Sequence, residues 1–287
     1  MGIKIISDSG CDLSKELIEK YEIDILPIFV LDGEKEYLDN VNITSDKVFK
    51  DMKEGVVYKT AQITPEIFIN KFKESIEKNE KIIYISLSGG LSGTYTSSVL
   101  AKESIEAKYP DSDVEVIDSR AVSGGQGLMV MEAARMAQEG RSKTEILERI
   151  RFFVENMEHI FTIDDIEYLY RGGRVSKAQK MIGGLLSIKP ILWVNDGELE
   201  PIDKVRGKNK VLKSIVELVN KTKGETDLSQ QDIIINHADD LESALKLKDM
   251  MIEEFGIKEP LIGSIGAVIG AHAGPGTVAV FFLKTNK

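Results

Sequence analysis

The sequence predicts an α/β protein: an N-terminal three-layer α/β/α domain with a mainly parallel sheet over residues 1–150, then a second, two-layer α+β domain with antiparallel pairing over residues 151–287. Three observations carry that expectation. Short apolar runs alternate with helix-spaced runs through the first half, the pattern of parallel strands joined by crossover helices. Turns rich in glycine and hydroxyl residues follow several of those strands, which places them at the carboxyl edge of the sheet, where ligands bind in such folds. From about residue 159 the strands crowd together, and Asn195-Asp196-Gly197 reads as a hairpin turn between two of them.

The elements follow in order. Residues 3–7 are an apolar strand, and Asp8-Ser9-Gly10-Cys11-Asp12 supplies turn and cap residues before a helix-spaced run at 13–20. Ile23 to Leu31 reads as a strand broken by Pro27, and Asp32-Gly33 turns the chain back toward Tyr37 as a small hairpin. Helices are expected at 44–53 and 65–78, the second with Pro65 in its first turn and Thr64 as N-cap. A strand at 82–86, a helix from Thr94 to Ala107, a strand at 114–118 and a helix from Leu128 to Gln138 complete the first half. In the second half, strands are expected at 159–163, 191–194, 199–202, 232–235 and 277–283, with helices at about 176–187, 209–222 and 240–255. Helices there should cover one sheet face.

Composition excludes several classes of function. The chain has 287 residues, 42% of them apolar, enough for two cores. No run of about 18 uncharged apolar residues is present, so no membrane span is expected. The start of the chain moves at once into a strand and lacks the marks of a signal peptide, which gives a cytoplasmic expectation. The single cysteine, Cys11, forms no intrachain disulfide and reads as a small packed residue. A net charge of −10 opposes binding of nucleic acid or anionic lipid surfaces through a general basic field. Any anion must therefore be held by a local site.

The clearest local site is Ser88-Gly89-Gly90-Leu91-Ser92-Gly93-Thr94-Tyr95, between a strand and a helix. Such a turn offers backbone N–H groups and hydroxyls at the positive end of a helix dipole. It has neither the glycine spacing of a dinucleotide fingerprint nor the Gly-Lys-Ser/Thr of a phosphate loop. Asp118-Ser119 opens a second such turn, reaching Gly127. His272 lies among small residues in Gly270-Ala271-His272-Ala273-Gly274-Pro275-Gly276, whereas His159 and His237 read as packing residues. Arg171 and Arg174 flank a glycine pair, and Arg206 belongs to a short basic patch, both arrangements suited to an anionic partner or to ordinary ion pairs. No His/Cys/Asp/Glu spacing resembles a metal site. One catalytic reading is a hydrolase of acyl esters with Ser92 as nucleophile and His272 as base, although the turn is not a Gly-x-Ser-x-Gly elbow.

Taken in order, Ser7-Asp8-Ser9, Thr60-Ala61-Gln62, the Ser88–Tyr95 turn, Asp118-Ser119, Tyr170-Arg171-Gly172-Gly173-Arg174 and the Gly270–Gly276 segment resemble the DegV family across nearly the whole chain. That resemblance implies a bacterial two-domain α/β protein enclosing one long-chain fatty acid between its domains. It also implies a non-catalytic role as the acid-presenting subunit of a two-component fatty acid kinase, whose separate ATP-binding subunit converts the bound acid to an acyl phosphate. No cofactor is implied. The carboxylate would be held by the hydroxyls of Thr60 and Ser92 with His272 close by, and Arg206, Arg171 or Arg174 would meet the kinase or the phosphate. The family's usual Thr-Ser-Gln-Pro is Thr60-Ala61-Gln62-Ile63 here, which keeps the threonine hydroxyl and loses the second hydroxyl and the proline.

Overall fold

Residues 2–174 and 188–285 are described by the computed structural model. The helix expected at about 176–187 lies outside them. A four-stranded parallel sheet, in the order β2-β1-β6-β7, is built from β1 (Ile3–Asp8), β2 (Asp24–Leu26), β6 (Lys81–Ser86) and β7 (Val114–Asp118). Strand alternation sends Ile5, Ile83 and Ile85 to one face and Ile6, Ile82 and Tyr84 to the other. The first face packs on α5 (Gly124–Gln138) and the second on α3 (Pro65–Glu77) and α4 (Thr94–Lys108), which gives three layers.

A six-stranded mixed sheet has the order β10-β9-β8-β13-β11-β12. Its strands are β8 (Met157–Thr162), β9 (Ile188–Asn195), β10 (Glu198–Arg206), β11 (Ile234–His237), β12 (Leu261–Ser264) and β13 (Val278–Leu283). All neighbours pair antiparallel except β11 with β12. The β9–β10 turn has Asp196 at φ 48° and Gly197 at φ 81°, the two positive values that the Asn-Asp-Gly signal demands. One face of this sheet carries α8 (Lys208–Thr222) and α9 (Leu241–Phe255), whose Val211, Ile215, Leu247 and Met251 meet Ile160, Val280 and Phe282. The other face, with Phe161, Leu192 and Phe281, meets Met129, Val130 and Ala133 of α5. Helix α5 is therefore sandwiched between the two sheets and buried almost all round.

That sandwich moves the start of α5 four residues earlier than the expected Leu128. The glycine run 124–127 is not a loop but the first helical turn. A Cβ on Gly124 would strike Ile234 and Phe281, one on Gly125 would overlap His159 Nε2, and one on Gly127 would meet the Cys11 carbonyl. Glycine is placed there because two sheets approach the helix too closely for any side chain. Cys11 itself is buried, and burial pushes its thiol well above the ordinary range, so it packs rather than reacts.

A small antiparallel sheet, β4-β3-β5, comprises β3 (Phe29–Asp32), β4 (Lys35–Leu38) and β5 (Lys59–Ala61). Helix α2 (Ser45–Lys53) lies beside it, and Thr44 caps that helix by accepting from Lys47 N at 3.4 Å. Helix α1 (Lys15–Lys20), helix α6 (Lys143–Asn156) with its Ser142/Glu145 capping box, and helix α7 (Glu167–Gly172) complete the described elements together with α10 (Ala267–Ala273). The α6, α7, β5, β12 and α10 elements are additions to the sequence expectation. Each is short or polar enough to carry a weak period, apart from α6, whose capping box was legible. No described helix is long and apolar enough to cross a membrane.

Candidate functional site

The parallel sheet places three glycine and hydroxyl-rich turns at its carboxyl edge, and Asp8 organises two of them. Its buried carboxylate accepts from Gly10 N at 3.0 Å, Leu87 N at 2.9 Å, the Tyr84 hydroxyl at 2.6 Å and Gln126 Nε2 at 3.2 Å. Burial pushes the Asp8 carboxyl upward while the Tyr84, Leu87 and Gln126 bonds pull it back. The β6 turn is thereby fixed to the end of β1.

Within the β6 turn, two halves do different work. Ser88 donates its hydroxyl to the Gly197 carbonyl at 2.7 Å, and Gly90 leaves room for that same carbonyl, so the tip of the β9–β10 hairpin is clasped here. An exposed Arg120–Asp196 ion pair at 2.7 Å supports the clasp. Ser92 instead donates to Thr94 Oγ1 at 3.0 Å and accepts from Thr94 N at 3.2 Å at the start of α4. Gln62 donates to Ser97 at 2.8 Å and lies against Gly93, where any Cβ would overlap its side-chain oxygen.

The two distant residues meet. Thr60 on β5 and His272 on α10 are joined by a 2.7 Å bond between Oγ1 and Nε2, across 212 positions of sequence. Helix α10 is held by carboxylates at its start: Asp12 accepts from Gly266 N at 2.9 Å and Asp39 from Ala267 N at 3.2 Å. Burial raises both acids, Asp39 to about 6. Gly172 at the end of α7 admits the His272 ring, because a Cβ there would overlap Nδ1. Burial, and then the neighbouring Arg174 charge, lower the His272 imidazole to about 4, so it is neutral near pH 7.

Thr60, Ser92, Arg174 and His272 all line one cavity of about 340 Å³. Its remaining wall is mostly apolar, with Phe161, Leu199 and Phe281 from the six-stranded sheet, Leu91 from the turn after β6, Leu169 from α7 and Val268 from α10. Arg174 is half-buried and donates to the Leu91 carbonyl at 3.1 Å and to the Gly172 carbonyl, and burial lowers its pKa. Arg171 and Arg206 are placed elsewhere. Arg171 is exposed and paired with Glu167 at 3.0 Å on its own helix, and Arg206 is exposed at the end of β10. His159, read from sequence as a packing residue, also lines the cavity. Among the described residues no group of His, Cys, Asp and Glu is arranged to hold a metal ion.

Ser92 and His272 are not hydrogen-bonded as nucleophile and base. The serine hydroxyl is engaged with Thr94 and the imidazole Nε2 with Thr60. A neutral imidazole of such low basicity is also a weak base for the hydrolase reading.

The family model described as an uncharacterised protein of the DegV family matches residues 2–285. The chain belongs to the DegV family. A DegV domain-containing protein of Clostridium perfringens is 39% identical over 286 residues, covering 99% of this chain and 98% of its own. A solved DegV family protein from Thermus thermophilus, described by its fatty acid binding, superposes with a TM-score of 0.89 at 29% identity over 98% of this chain and 99% of that one. A stearic acid-binding protein from Eubacterium ventriosum gives a TM-score of 0.92 at 28% identity over 98% of each chain. The mixed α/β architecture with a parallel sheet and separate antiparallel pairing is thus the fold of these DegV proteins.

Proposed function

We propose that this chain binds one long-chain fatty acid in the cavity, with the carboxylate at Thr60 and Ser92 beside His272, and presents it to a separate ATP-dependent kinase subunit for acyl phosphate formation. The observation that carries the reading is the gathering of Thr60, Ser92, His272 and Arg174 in the wall of one otherwise largely apolar cavity. A carboxylate taken out of water costs several kcal/mol unless its oxygens are bonded. Two hydroxyls answer that need, Ser92 by turning its proton from Thr94 to the ligand and Thr60 by accepting from His272 Nε2–H so that its own proton is free. The half-buried Arg174 adds a compensating positive charge. Burying a tail of about 15 carbons contributes on the order of 12 kcal/mol before the costs of association. The tail supplies most of the affinity and the polar group fixes orientation.

The same proposal places the two domains at 1–150 and 151–287 with the acid between them, in a cytoplasmic carrier that does no phosphoryl chemistry itself. Solvent extraction of the denatured protein followed by mass spectrometry should yield a stoichiometric free fatty acid, and Thr60→Val with Ser92→Ala should weaken binding by more than about 100-fold. Repeated absence of a lipid from fresh preparations would sink the reading. The exposed Arg206 is assigned to kinase docking: Arg206→Ala should spare acid binding and slow coupled phosphorylation about 10-fold. Equal loss of both activities would remove Arg206 from that role.

A further inference from the structure

Thr94 is the first residue of α4 and is fully buried, while Ser92, two residues before it, lines the cavity. Three hydrogen bonds meet at this pair. The Thr94 N–H donates to Ser92 Oγ at 3.2 Å, the two hydroxyl oxygens lie 3.0 Å apart, and the Ile63 N–H donates to Thr94 Oγ1 at 3.4 Å. Ile63 lies three residues past Thr60, and Gln62 is tied to the same helix through Ser97 at 2.8 Å. The segment that carries Thr60 and the turn that carries Ser92 are thus joined through Thr94.

A hydroxyl has one proton to give and two lone pairs to receive with. As arranged here, Thr94 Oγ1 receives from Ser92 and from Ile63, so both its lone pairs are used. Its own proton then has no acceptor among the described residues, and a buried O–H without an acceptor is costly. A carboxylate in the cavity reverses the bond between the two hydroxyls. Once Ser92 turns its proton to the anion, two oxygens 3.0 Å apart face each other without a proton between them unless Thr94 supplies it. When Thr94 does so, Ser92 Oγ receives from both the Thr94 N–H and the Thr94 hydroxyl. Both lone pairs of Ser92 are then occupied, its proton has no direction left but the ligand, and each donor in the chain strengthens the next.

Resting on the fatty acid reading above, we propose that Thr94 is a positioning residue for the carboxylate: its hydroxyl donates to Ser92 Oγ in the complex and so aims the Ser92 proton at the acid.

Binding of stearic acid to the delipidated full chain tests this through a double-mutant cycle. Thr94→Val should weaken binding about 10-fold, and Thr94→Ser should restore it to within about twofold of the wild type. In a Ser92→Ala background the same Thr94→Val change should cost less than about twofold, because the hydroxyl it serves is gone. Wild-type affinity in Thr94→Val, or an equal loss in both backgrounds as a purely structural role would give, overturns the proposal. Neutron diffraction from the deuterated wild type with stearic acid bound needs no variant and decides the matter even where Thr94→Val fails to fold. The Thr94 deuteron should point to Ser92 Oγ and the Ser92 deuteron to the carboxylate; a Ser92 deuteron still on the line to Thr94 overturns the assignment. Tight binding of stearic acid with any of these contrary results removes only the role of Thr94, whereas failure of the wild type to bind any fatty acid removes the fatty acid reading as well.

Discussion

Gly172→Ala should abolish most carboxylate binding, although it is a change that ordinarily strengthens a helix by nearly 1 kcal/mol. The added methyl would overlap His272 Nδ1, and the ring has no retreat because Thr60 holds Nε2 from the other side. Either the imidazole leaves Thr60 or α7 moves off α10. Overpacking of this kind costs about 1–3 kcal/mol of stability. Loss of the Thr60 orientation should weaken fatty acid binding about 100-fold, on the scale of a hydrogen bond to a charged group. Isothermal titration on delipidated protein measures it, with Gly173→Ala as the contrast. Gly173 has φ 71° and open space around it, so alanine there strains the backbone by about 1 kcal/mol and should leave binding within a factor of three. Wild-type affinity in Gly172→Ala would refute the placement of His272 in the site.

Asp8→Ala should destabilise the fold by about 3–5 kcal/mol, the scale at which removal of one side of a buried polar cluster is felt. Gly10 and Leu87 lose the acceptor of their N–H groups, Tyr84 and Gln126 lose one acceptor each and keep Ser86 and Ser7 respectively, and none of these bonds is exposed to water. Asp8→Asn keeps the shape and one acceptor oxygen, so it should lose about half as much. Urea unfolding monitored by the Trp193 fluorescence and by far-ultraviolet circular dichroism gives both values. A loss below about 1 kcal/mol for Asp8→Ala would mean that the Leu87 turn is positioned by other contacts.

The sequence was most informative where a local rule is strict. Alternating strands and helices, Pro27 dividing β2 from β3, the Asp32-Gly33 turn and the Asn195-Asp196-Gly197 hairpin each depend on backbone geometry that few residues satisfy, and each is found in place. Glycines were the weakest guides. The run at 124–127 reads as a loop on composition, yet it is the buried first turn of a helix, because the constraint comes from Ile234, Phe281 and His159, which are distant in sequence. His159 was read as packing for the same reason: its neighbours on β13 and α5 cannot be inferred from residues 157–162. Ser88 and Ser92 look equivalent in the turn, and only the arrival of the β9–β10 hairpin separates a structural clasp from a hydroxyl in the cavity wall.

By itself the sequence determined the class of fold, the DegV membership and the residue types available at each turn, because strand period, turn chemistry and motif order are properties of short segments. Tertiary structure alone decided that Thr60 touches His272, that Gly172 makes room for it, that Arg174 faces the cavity while Arg171 and Arg206 face solvent, and that a histidine lies in the cavity wall. Those facts depend on how two sheets close on α5 and how α10 returns to the small sheet. They follow from side-chain volume and buried hydrogen bonding between segments some 200 residues apart, as in the 212-position span of the Thr60–His272 bond.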